Sequence, residues 1–67
     1  MEITLNNKKE ELPGDEMTIE ELLAYKKFTF KMLVIKVNGK IIKRHEYSTT
    51  TIKDGDNVIV LHLVSGG

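Results

Sequence analysis

At 67 residues and with no cysteine, the chain has room for one small domain without disulfide staples, a thiol nucleophile or a thiolate metal site. Ten basic and ten acidic side chains cancel, so net charge gives no support to nucleic-acid binding. His45 and His62 lack acidic or thiol partners at metal-ligand spacing, and no metal site is predicted.

The charges are unevenly spread. Residues 1–30 hold seven acids and four bases, and residues 31–67 hold three acids and six bases. Lys36, Lys40, Lys43, Arg44 and Lys53 therefore read either as a mildly basic surface or as a solvated charged face. "MEITLNN" lacks the basic start and apolar run of a signal peptide. The apolar runs "MLVI" and "VIVL" fall far short of the roughly 20 residues that span a bilayer. A cytosolic protein without membrane contact is expected.

In chain order, Ile3 and Leu5 alternate with Glu2 and Thr4, the period of a half-buried strand. Asn6-Asn7 supplies left-handed turn conformations, so a second short strand is expected near Lys9–Leu12, ended by Pro13-Gly14. "DEMTIEELLAYKK" predicts a helix of about ten residues. Thr18 and Glu21 have capping-box spacing, and Ile19, Leu22 and Leu23 form one apolar stripe. Asp15, Glu16, Glu20 and Glu21 are expected at the positive end of the helix dipole, and Lys26-Lys27 at the negative end.

"LVIKV" and "KII" flank Asn38-Gly39, a type I′ hairpin signal. A loop follows, then a turn at "KDGDN" and a final strand, Asn57–Val64. One helix and one mixed sheet each bury an apolar face only against the other, which predicts a two-layer α+β domain.

A sheet covered on one side should alternate apolar and polar residues, but "VIVLHLV" does not. Val58, Val60, His62 and Val64 share one side of the strand, and Ile59, Leu61 and Leu63 the other. Periodicity alone does not choose which side faces the helix. Either the outer face is incidentally apolar, or it is a surface for docking a partner. It runs directly into Ser65, Gly66 and Gly67, where glycine adds nothing to packing. The expected organisation is a domain over residues 1–64 and a flexible tail over 65–67.

"VNGKII" at 37–42, "IKDGDNV" at 52–58 and the closing "SGG" together resemble the ThiS family of sulfur carriers in thiamine biosynthesis. The resemblance spans nearly the whole chain in length and element order. It is strongest from Leu33 to Gly67 and weak over residues 1–17. It implies the ubiquitin-like β-grasp fold, with Val58 and Val60 inward and Ile59, Leu61 and Leu63 outward. The small subunit of molybdopterin synthase, MoaD, is the nearest rival, but its relatives usually carry two prolines where this chain has His62-Leu63.

The resemblance also implies a chemistry. A ThiF-like partner uses ATP to adenylate the terminal carboxylate, here that of Gly67. Sulfur from a cysteine desulfurase-type source then displaces AMP, and the thiocarboxylate serves a ThiG-like thiazole synthase. Gly66 permits close backbone approach, Ser65 is a spacer, and no cofactor is held by the chain itself. Ile59, Leu61 and Leu63 are the expected docking residues, with Lys36, Lys40 or Arg44 as a charged rim. The chain is then a protein co-substrate, not an enzyme, and is expected to be monomeric when free. The closeness of His45, Glu46 and Ser48 in sequence does not make a triad. A MoaD-like donor, a ubiquitin-like modifier and a plain binding module are the alternatives.

Overall fold

A computed structural model describes residues 1–29 and 31–63. The chain forms β1 (Glu2–Leu5), β2 (Lys8–Glu11), β3 (Glu16–Thr18), α1 (Ile19–Tyr25), β4 (Leu33–Val37) and β5 (Lys40–Ile42). A 3-10 turn at Arg44–Glu46 follows, then β6 (Thr51–Lys53) and β7 (Asn57–His62). The main sheet has the order β2-β1-β7-β4-β5, and β3 pairs with β6 in a separate two-stranded ribbon. The last strand therefore lies in the centre, parallel to β1 and antiparallel to β4. The expected mixed sheet with one helix is present. Among the described residues, no helix is long and apolar enough to cross a membrane.

The core follows the strand alternation. Ile3 and Leu5 of β1, Ile35 of β4, Ile42 of β5, and Val58 and Val60 of β7 are buried with Ile19 and Leu22 of the helix. Met17 and Ile52 extend this core under the ribbon. Truncating a fully buried Ile such as Ile35 to Ala typically costs about 2–5 kcal/mol.

The helix is shorter than its sequence pattern suggests. Thr18 accepts the Glu21 N–H at 3.0 Å, and the Glu21 carboxylate accepts the Thr18 N–H at 2.8 Å. That capping box requires an extended Thr18 (φ −75°, ψ 161°), so the preceding residues leave the helix and pair with β6. Asp15 and Glu16 thus lie outside the first turn, which keeps Glu20 and Glu21. Lys26 is the C-cap, its ammonium 2.9 Å from Glu10 of β2, and Lys27 adopts a left-handed φ of 58°.

Other boundaries also shift. The second strand is displaced by one residue from the expected Lys9–Leu12, and Leu12 is buried just beyond it. The segment expected as a loop holds the 3-10 turn and β6. The strand assignment of β7 stops at His62, although the Leu63 N–H still reaches the Met32 carbonyl at 2.9 Å.

Both Asn-initiated turns are left-handed: Asn6 and Asn7 at φ 51° and 68°, Asn38 and Gly39 at 51° and 84°. No atom lies within 4 Å of a Cβ built on Gly39. A substitution there is resisted by backbone conformation and not by collision. Gly39→Val is expected to cost about 1–2 kcal/mol, lowering Tm by roughly 5–15 °C, with Asn at this position recovering most of the loss. Calorimetry checks this, and an unchanged Tm for the Val variant contradicts it.

Candidate functional site

The two ends of the sheet are built differently. At one end, the Asn38 amide donates to Asp56 Oδ1 at 3.1 Å and its oxygen accepts the Asn57 N–H at 2.8 Å. Asp56 is buried, and its other oxygen accepts the Lys53 N–H at 2.9 Å. Asp54 accepts the Glu2 N–H at 2.8 Å, and the Gly55 N–H donates to the Glu2 carbonyl at 2.8 Å. The two turn motifs are therefore joined to each other and to β1 by hydrogen bonds. Their work is architectural.

From there β7 runs six residues, about 20 Å, to the opposite end. Val58 and Val60 face the core, while Ile59 is half-buried and Leu61 and Leu63 are 50% and 45% exposed. The register sets Leu61 opposite Val34, and Lys36 opposite both Ile59 and Ile41. Lys36, half-buried, thus lies within the apolar outer face and not at its rim, a position suited to a long aliphatic stem with a charged tip.

The other two candidate cations do not join it there. Lys40 pairs with Val37 and is exposed at the hairpin tip, where strand alternation sets it on the face opposite Ile41. Arg44 lies on the 3-10 turn and lines an open groove of about 570 Å³ at the β4–β5 edge. Leu23, Phe28, Met32, Tyr47 and Leu63 are among its apolar walls. Met32 and Ile41, 51% and 56% exposed, enlarge the apolar surface beyond the β7 residues singled out from the sequence. The signal for Ile41 was in "KII": once Ile42 faces the core, strand alternation turns Ile41 outward.

Ser65, Gly66 and Gly67, with the expected flexible tail, lie outside the described residues, as does Val64. Of the "HEYSTT" groups, the Glu46 carboxylate accepts the Lys43 N–H at 2.9 Å and closes the 3-10 turn. This hydrogen bond holds its carboxyl below the usual carboxylate range against an opposing desolvation effect, while the charges of His45, Lys40 and Lys43 lower it further. The arrangement gives Glu46 a structural task.

The ThiS family model matches residues 1–67. The chain belongs to the ThiS family. A curated relative in the family, the sulfur carrier protein ThiS of Bacillus subtilis (strain 168), is 31% identical over 65 residues, covering 97% of this chain and 98% of that protein. The crystal structure of the thiamine biosynthesis protein ThiS from Geobacter metallireducens superposes with a TM-score of 0.89 at 32% identity, covering 100% of both chains. A solution NMR structure of a thiamine biosynthesis protein from the same organism gives 0.81 at 32% identity, covering 100% of this chain and 88% of that one. The β-grasp architecture of the family is thus the architecture of this chain.

Because the folded-state pKa of Glu46 is depressed, its contribution to stability is present above the ordinary value of 4.5 and is lost as pH falls through the lowered one. Glu46→Gln removes this dependence. The Tm advantage of the parent over Glu46→Gln is expected to shrink as pH is lowered from neutral through the carboxylate range. An advantage independent of pH contradicts the assignment.

Proposed function

We propose that this chain is a sulfur carrier of thiamine biosynthesis that works through the α-carboxylate of Gly67. Membership of the ThiS family along the full length carries this reading. It is supported by an outer β7 face whose exposed leucines lead in sequence toward the glycines.

The chemistry begins with a poor acyl donor, since oxide is a poor leaving group. A ThiF-like enzyme activates the carboxylate: a Gly67 oxygen attacks the α-phosphorus of ATP, pyrophosphate leaves, and an acyl-adenylate forms. The terminal sulfur of a persulfide on a cysteine desulfurase-type source adds to the acyl carbon and expels AMP. A thiol then cleaves the S–S bond of the acyl disulfide so formed, leaving the thiocarboxylate and forming a disulfide with the donor sulfur. The resulting thiocarboxylate is the softer nucleophile that a ThiG-like synthase uses to build the thiazole. This chain contributes a reactive end and a surface to hold it, with the outer residues Ile59, Leu61 and Leu63 docking the partners. The acid, base and nucleotide-binding groups belong to those partners, so the chain is a co-substrate acting in the cytosol.

Incubated with ATP, a sulfur source and its adenylating enzyme, the protein is expected to gain the mass of one oxygen replaced by sulfur. Deleting Gly67 should abolish the gain, because one extended residue spans up to about 3.6 Å, comparable with a reactive approach distance. Appending a residue after Gly67 should block it as well. Intact-mass spectrometry reads all three, and sulfur gain by the shortened chain would sink the proposal.

A further inference from the structure

We propose that the adenylating enzyme inserts an acidic, apolar-tipped segment into the groove at the β4–β5 edge. This inference rests on the sulfur-carrier reading and adds the chemistry of the contact. The groove opens between the segment after α1 and the 3-10 turn, with Met32 and Leu63 exposed along it. Its polar lining is one-sided: Lys31, Lys43 and Arg44 contribute three exposed cations, and no acidic side chain lines it. Among the described residues, the ion pairs are Lys9–Glu2 and Lys26–Glu10, so no carboxylate of the fold lies within salt-bridge distance of these three cations. Glu46, the nearby acid of the 3-10 turn, is engaged by the Lys43 backbone N–H.

An occupant that matches this surface carries an apolar residue for the floor and carboxylates for the rim. Apolar contact supplies the affinity, and opposite charge orients the approach and selects the partner. The position adds a second argument. Gly67 follows Leu63 by four residues, so its carbonyl carbon is at most about 14 Å of extended chain away. An enzyme that holds Gly67 in its active site therefore has surface beside this groove. The outer face of β7 is a sheet surface, whereas the groove is concave and admits a projecting segment.

The experiment uses the full chain and its adenylating enzyme. Carbodiimide couples amines to carboxylates in contact, and peptide mapping identifies the joined residues. Cross-links from Lys43 or Lys31 to an Asp or Glu of the enzyme are expected. The Lys43→Glu/Arg44→Glu double variant should bind about tenfold more weakly, with the affinity of the parent chain falling as salt rises. Lys53→Glu, an exposed site beside the turn at the opposite end of the sheet, should bind as the parent does. If the double variant does not fold, the cross-links on the parent decide. Cross-links confined to Lys53 and other lysines outside the groove, or equal effects of the two charge reversals, overturn the proposal. Sulfur gain by the parent in the same samples distinguishes that failure from failure of the sulfur-carrier reading.

Discussion

Hydrogen bonds on both edges of β7 hold this domain together. The last strand in the chain is the middle strand of the sheet, parallel to β1 on one side and antiparallel to β4 on the other. Asn6 extends the β1 side beyond the end of that strand. Its backbone N–H donates to the Val58 carbonyl at 2.9 Å, and its side-chain oxygen accepts the Val60 N–H at 2.8 Å. Without β7 the β1–β2 hairpin and the β4–β5 hairpin have no common partner. Such long-range pairing carries a loop-closure entropy cost before the sheet is complete. In return, the chain beyond β7 leaves from the central strand of the sheet.

The two ends of that strand divide the labour. Around its start, Asn38, Asp54, Gly55 and Asp56 commit their polar groups to backbone donors and acceptors. A buried Asp56 is tolerable only because both of its oxygens are used. Around its finish, apolar side chains stand exposed, and among the described residues no carboxylate lies within salt-bridge distance of Lys31, Lys43 or Arg44. Asn38, Asp54, Gly55 and Asp56 therefore build the domain. The surface suited to a partner lies about 20 Å away, along a strand of six residues.

Local chemistry made much of this legible. The Asn-Gly turn, the capping box and the alternation in β1 each depend on near neighbours, and each appears in the structure. What depended on distant partners was hidden. Glu16–Thr18 looked like a helix start because its pairing with Thr51–Lys53 lies more than thirty residues away in sequence. Periodicity divided the β7 residues into two faces but did not orient them; burial of Val58 and Val60 does. Lys36, Lys40 and Arg44 looked equivalent as charges. Strand parity and the 3-10 turn send them to an outer face, a hairpin tip and a groove. The polar tie between Asn38 and Asp56 joins residues 18 apart, and neither turn motif announces the other.

The central claim is that the folded body docks while Gly67 reacts. Steady-state ATP–pyrophosphate exchange by the adenylating enzyme tests it most directly, with the chain as variable substrate. On the proposed docking, half-exposed Leu61 supplies contact and not chemistry, so Leu61→Ala should raise KM and leave kcat near the parent value. The chain lacking Gly67 should support no exchange and yet inhibit the parent competitively, because its docking surface is intact. Undiminished exchange with the shortened chain, or a Leu61→Ala variant that loses kcat at unchanged KM, would contradict the account.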